Sequence, residues 1–283
     1  MRHKGLAAVA VVVLVLFCLV SCAGKPAPVR TGVAPRAPSE PDALSLLARA
    51  DPLAGSRQLV LVVTPDWGSI TGRMALFERD APGAPWRRIL APFPVTVGRT
   101  GLAFGRGLHG QGPSLPEVPA KREGDGKAPA GAFSLTMGFS YAPKSLGFAP
   151  KLPMHHVTAD TVCVETPDSR RYNAILDEAT AGPPDWVSPD RMLRPDGLYK
   201  NGVFVAHNTS PVVPGAGSCI FLHSWRGPDS PTAGCTAMEP GRVVELLRVL
   251  DAAKNPVMVQ LPRAMVGRLG PDWGLPDMPV DGS

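Results

Sequence analysis

The sequence predicts a mainly β domain, a sandwich or barrel-like fold of mixed sheets with one well-defined helix. Three observations carry this. Short runs rich in β-branched residues recur along the chain. Pro and Gly interrupt them often, at 33 and 30 of 283 residues. A single stretch has clear helical periodicity. The same composition excludes a coiled coil, a helical bundle and a collagen-like rod.

The chain opens with Arg2, His3 and Lys4, then runs apolar and uncharged from Leu6 to Val20. These are the n- and h-regions of a secretory signal. The run is short for a membrane-spanning helix, which needs about 20 apolar residues. It ends in Leu19-Val20-Ser21-Cys22, which resembles the lipobox of bacterial lipoproteins. That resemblance implies cleavage after residue 21, lipidation of Cys22 and attachment to a membrane. Ala23 follows the Cys, which favours the periplasmic face of the outer membrane. An ordinary signal peptide with a chance Cys is the alternative. Residues 22–42 are rich in Pro and Ala and read as an extended tether. A single domain follows over residues 43–265, then a tail over 266–283.

Within the domain, Ala43 to Ala50 reads as a short helix and Leu59 to Thr64 as a buried strand. Arg73 to Arg79, Trp86 to Val97, Gly131 to Thr136 and Val162 to Glu165 read as further strands, as do Val203 to His207 and Cys219 to His223. Val243, Leu246, Leu247 and Leu250 form one apolar helical face, with Pro240 suited to the helix start. Val257 to Leu261 returns as a strand.

The formal net charge is +5, of which Arg2 and Lys4 lie in the segment read as cleaved. The remainder is too weak and scattered for a nucleic-acid partner. No G-x-x-x-x-G-K-[ST] loop is present, so nucleotide hydrolysis is unsupported. No Cys-x-x-Cys or His-Glu-x-x-His pattern is present, and adjacent His155 and His156 would point to opposite faces of a strand. No metal or other cofactor is expected. A monomer is expected.

Five cysteines occur. Cys18 leaves with the signal and Cys22 carries the lipid. Export places Cys163, Cys219 and Cys235 in an oxidising compartment, where an odd number leaves one thiol over. Cys163 and Cys219 lie in strand-like segments and are paired on that ground, with two separate buried thiols as the alternative. The bridge would close a loop of about 57 residues, stabilising by roughly 4 kcal/mol in the chain-entropy model. Cys235 follows Gly234 just before the predicted helix, where the dipole would lower its pKa. His223 ends a strand upstream and suits a general base. Gly234 leaves backbone N–H groups open for an oxyanion.

Ile220 to Gly227, with His223, followed by Thr232-Ala233-Gly234-Cys235, resembles the catalytic segment of the L,D-transpeptidase (YkuD-like) family. Residues Lys121 to Phe133 resemble the family's E-G-D-x-x-T-P-x-G-x-F stretch, and Asn201 to Val205 its strand before the catalytic His. The resemblance spans roughly Gln58 to Gln260. It implies a YkuD-like β-sandwich acting on peptidoglycan stem peptides through a thioacyl-enzyme. Cys235 is then the nucleophile, His223 the general base and acid, and Gly234 an oxyanion donor. Ser224 is a candidate orienter of the imidazole. Arg226, Trp225 and Thr232 are candidate substrate contacts, with solvated or packing roles as alternatives.

Two departures mark a divergent branch: Ala233 stands where the commoner S-H-G-C pattern has His, and the His223–Cys235 gap is short. Transpeptidation, carboxypeptidation and transfer to or from a lipoprotein amine remain open, as does a non-catalytic wall-binding domain. The Gly124-Asp125-Gly126 turn reads as structural, and so does His207.

Overall fold

The computed structural model describes residue 47 and residues 50–112 and 118–278. Cys22 and the segments read as signal peptide and tether lie outside the described residues, as does most of the short helix expected over Ala43 to Ala50. Strands dominate, as the sequence predicts.

Three strands come first: β1 (Gln58–Thr64), β2 (Thr71–Glu78) and β3 (Arg87–Thr96) form an antiparallel meander. Short β4 (Leu102–Phe104), β5 (Arg106–Gly107) and β6 (Gly110–Gln111) lead to the long β7 (Ala128–Ser140). Then come β8 (Met154–His156), β9 (Thr161–Cys163), β10 (Ile175–Asp177), the single turn α1 (Glu178–Ala181) and β11 (Asp190–Arg191). The chain continues through β12 (Asn201–Val205), β13 (Phe221–Ser224), β14 (Thr236–Met238) and helix α2 (Pro240–Val249). It ends with β15 (Val257–Pro262) and helix α3 (Arg263–Trp273).

The main sheet closes on itself. Its hydrogen-bonded order runs β12-β13-β14-β3-β2-β1-β15-β7, and β7 pairs again with β12. The length of β7 makes this possible. Its first half pairs with β15 and its second half with β12, so one strand belongs to both faces of a sandwich. Gly131 of β7 takes φ +130°, and a Cβ there would stand 2.1 Å from the buried ring of His109.

Strand alternation divides the apolar residues among three clusters. Val60, Val62, Met74 and Leu222 face inward with Leu246, Leu247 and Leu250 of the α2 segment. Leu59, Leu61 and Val63 face outward, where Met265, Leu269 and Trp273 of α3 cover them. Phe139, Phe221, Tyr199 and the three described cysteines form the third cluster. The apolar face predicted for α2 is the one the structure buries.

Helix α3 corrects the sequence reading, which ended the domain at 265 and called 266–283 a tail. Residues 266–273 are domain structure, because Leu269 and Trp273 are buried and Trp273 donates to the Leu47 carbonyl at 3.0 Å. Gly267, Gly270 and Pro271 hide the helix from a periodicity scan. Cys219 corrects another. It lies outside β13 with a left-handed φ of +55°, joined to Cys163 by a disulfide.

Two buried histidines stitch the loops to this frame. The His109 ring faces the carbonyl of Gly105 and accepts from the Ala132 N–H. The His207 ring accepts from the Arg106 N–H and donates to the Ala216 carbonyl. Burial pushes their pKa values down to about 4 and about 3. The unfolded chain, with histidine near 6.5, then binds protons that the folded chain refuses. Stability is therefore full above about pH 6.5 and falls as the pH drops toward the folded values. Between pH 7 and pH 5 each ring is expected to remove roughly 2 kcal/mol. Urea unfolding at both pH values measures the loss, and ring-proton NMR assigns it. A ring that titrates above pH 6 in the folded chain contradicts the expectation.

Candidate active site

The site grows from one strand pairing. β13 and β14 are parallel neighbours, with Leu222 opposite Thr236 and His223 opposite Ala237. Alternation sends Leu222 into the closed sheet and Phe221 outward to the cysteine cluster. His223, two residues beyond Phe221, shares that outward side. Its ring meets the edge of Tyr199 with centroids 5.0 Å apart. One step before Thr236, the register brings Cys235 level with Phe221, whose N–H donates to Sγ at 3.3 Å. The thiol donates in turn to the Cys219 carbonyl at 3.5 Å. Cys235 is the free cysteine among the described residues.

His223 and Cys235 line one cavity of about 160 Å³, together with Tyr199, Trp225 and Arg226. Nδ1 of His223 lies 2.8 Å from the Ser224 carbonyl. Only a protonated nitrogen can make that bond, so Nδ1 carries the hydrogen and Nε2 keeps a lone pair. Both groups are buried, at 5% and 7% exposure. Burial pushes His223 down to about 4 and Cys235 up to about 12, the latter opposed in part by the Phe221 N–H. The resting pair is a neutral thiol beside a neutral imidazole.

This overturns the helix-dipole argument. The sequence reading set Cys235 directly before a helix. The structure inserts β14, and the helix starts only at Pro240. A dipole acts over about one turn, so burial acts on the thiol without it.

The other candidates divide. Ser224 orients the imidazole through its backbone carbonyl, not its hydroxyl. The Gly234 N–H donates to Thr232 Oγ1 at 3.1 Å and is therefore engaged. Cys235 N–H has no acceptor among the described residues, which leaves it as the open backbone donor. Thr232 lines the cavity, but its hydroxyl donates to the Cys235 carbonyl at 2.6 Å and so braces Cys235. Arg226 pairs with Asp196 at 2.9 Å, so its fork is not a vacant carboxylate site. Trp225 lines the cavity. His155 faces Asp177 and His156 faces the Tyr141 carbonyl, in separate contacts. Among the described residues, no group of three or more His, Cys, Asp or Glu is placed to hold a metal.

Sequence reasoning missed Tyr199, Arg194, Asp196 and the carboxylates of Glu165 and Asp190. No motif marks them, because they reach the site from the β9–β11 sheet and the segment after it. Asp125 behaves as the turn residue its neighbours suggest, accepting from the N–H groups of Arg122 and Lys127. Gly124 and Gly126 flank it at φ +68° and +69°. Glu123, in the same stretch, is structural too: its carboxylate accepts from the Tyr172 and Ser218 hydroxyls.

A neutral buried thiol sets a reactivity expectation. At pH 8 a thiol with a pKa near 12 is about 10⁻⁴ thiolate, against roughly a quarter for an unperturbed one. Alkylation of Cys235 by iodoacetamide, followed on its peptide by mass spectrometry, should be about 10³-fold slower in the folded chain than in urea. A difference below tenfold would mean that the folded site already holds a thiolate.

Searches among curated proteins and among solved structures returned no match. A family description does match: the L,D-transpeptidase catalytic domain, YkuD, aligns over residues 69–259. That span holds the β13–β14 pairing, His223 and Cys235, while β1 lies before it. The chain therefore belongs to the L,D-transpeptidase catalytic-domain (YkuD) family.

Proposed function

We propose that this protein is a peptidoglycan L,D-transpeptidase that works through a Cys235 thioester on stem tetrapeptides. One observation carries the reading: the free thiol of Cys235 shares a cavity with His223, whose tautomer leaves Nε2 unprotonated. The thiol attacks the carbonyl of the third stem residue as its proton passes to Nε2. The Cys235 N–H, open in the resting chain, meets the developing oxyanion. The imidazolium returns the proton to the departing D-alanine, leaving a thioester. An amine then attacks, forming a 3→3 cross-link with a second stem peptide or joining another amine. Water in its place gives a carboxypeptidase.

The lipobox-like Cys22 supports a lipid-anchored protein at the periplasmic face of the outer membrane. The tether would limit its reach to roughly 60 Å of extended chain. A second reading is favoured by the buried, protonated thiol: a wall-binding domain of the same fold that does no chemistry.

The test incubates the full-length chain with a disaccharide-tetrapeptide and follows products and intact protein by mass spectrometry. Release of D-alanine is expected, with a thioester adduct on the protein. Both should be lost in Cys235→Ala and fall at least 10²-fold in His223→Gln. Binding without adduct or D-alanine, from folded protein, would replace the enzyme with the binder.

A further inference from the structure

His223 hangs on one hydrogen bond. Its Nδ1 donates to the Ser224 carbonyl, and among the described residues no second hydrogen bond meets the ring. One bond alone lets the imidazole swing, because the last torsion of a histidine side chain is soft and roughly two-fold. A base needs its lone pair in one place. Something other than the Ser224 carbonyl has to fix the plane of the ring.

The segment between β11 and β12 does this with two neighbouring residues. The Leu198 carbonyl accepts from the Ser224 N–H at 3.1 Å, which steadies the residue whose carbonyl takes Nδ1. Tyr199 then sets its ring against the imidazole at 74°, with centroids 5.0 Å apart. Tyr199 is itself held on several sides. Its hydroxyl donates to Asp190 Oδ2 at 3.0 Å. The Arg194 guanidinium lies 5.1 Å from its ring centroid. Phe139 and Phe221 meet the ring in T-shaped contacts at 6.3 Å and 5.4 Å. Burial, with Cys235 and Asp190 nearby, holds the phenol well above its ordinary pKa. Tyr199 therefore keeps its proton and acts through position, not as an acid or base.

We infer that Tyr199, tethered by its hydroxyl to Asp190, is a positioning residue that holds the His223 imidazole in the plane and tautomer of the general base. This deepens the thioester reading above and rests on it for its effect on rate. A ring free to turn loses the geometry for proton transfer, and a misplacement of about 1 Å can cost roughly 100-fold. Loss of the Tyr199 ring also lets water reach the imidazole, which relieves the burial that pushes His223 down to about 4. The charged groups facing His223 are Arg194, Asp196 and Arg226; Asp190, Glu165 and Lys121 act on Cys235 behind it. All six stay in place in the variants below.

The experiment compares the full-length chain with Tyr199→Phe, Tyr199→Leu and Phe139→Leu. Phe139 touches Tyr199 and Phe221 and has no ring contact with His223, so its variant carries the cost of a lost core ring alone. Ring-nitrogen NMR reads the tautomer and titration of His223, and D-alanine release from a disaccharide-tetrapeptide reads kcat and KM. The unaltered chain should show one tautomer, with hydrogen on Nδ1. Tyr199→Leu should mix the tautomers, raise the titration of His223 by about one pH unit or more, and lower kcat about tenfold with KM within about twofold. Tyr199→Phe keeps the ring without its tether and should lower kcat about threefold. Phe139→Leu should lower the urea midpoint and leave the tautomer unchanged. An unchanged His223 spectrum in Tyr199→Leu overturns the inference, and so does an equal change in Phe139→Leu. If Tyr199→Leu does not fold, Tyr199→Phe with unaltered kcat and tautomer overturns it instead. The expected NMR changes without D-alanine release from any chain uphold the positioning role and overturn the thioester reading.

Discussion

The parallel pairing of β13 with β14 is the constraint on which the site depends. Parallel neighbours need a connection that returns to the starting end, and such crossovers usually take a dozen or more residues and a helix. Here residues 225–235 do it without one. So short a return has to arch over the end of the sheet. The arch is stitched down where Thr232 exchanges backbone hydrogen bonds with Val97 and Arg99, just beyond β3. Its inner side carries Trp225, Arg226 and Thr232, and these become the cavity wall. The chain re-enters the sheet at Cys235, level with Phe221. The register of β13 on β14 therefore sets Cys235 and His223 on one cavity.

The disulfide acts on the opposite flank. It ties Cys219 to β9, and the Asn173 side chain accepts from the Cys219 N–H at 2.9 Å. Held on both sides, Cys219 keeps a left-handed conformation that is costly for a residue with a Cβ. Its carbonyl then faces the Cys235 thiol. The small β10-β9-β11 sheet, which brings Asp190 and the neighbouring Glu165 to the cleft, is anchored through that bond and the core around it. Covalent and packing constraints converge on one sulfur.

Much of the frame was legible in the sequence. The β-branched run of β1, the apolar face of α2 and the turn chemistry around Asp125 each depend on neighbours within a few residues. His223 and Cys235 were legible because the arch between them is short. Legibility failed where the signal is long-range. α3 is rich in Gly and contains Pro271, so only its contacts with Leu47 and the outer faces of β1 and β15 explain it. β14 is three residues long and exists because β13 and β3 flank it. Missing it made Cys235 look like a helix-terminus thiol and inverted the expected direction of its pKa. Glu165 and Arg194 carry no motif, since topology alone sets them beside Cys235.

The inversion bears on how such a site operates. A thiolate–imidazolium pair in this cavity would hold two charges away from water, and desolvation penalises both. The neutral pair avoids that cost in the resting chain. Charge then has to develop only when a carbonyl stands at the sulfur, so that the negative charge passes to an oxygen facing the Cys235 N–H. In the proposed reaction the proton would pass to His223 Nε2 in the same event. Burial thus turns the thiol from a generally reactive nucleophile into one whose activation depends on the bound substrate. This restraint protects the thiol, because the thiolate is the form that oxidants and foreign disulfides attack. The closed sheet, the arch and the disulfide together keep that sulfur buried.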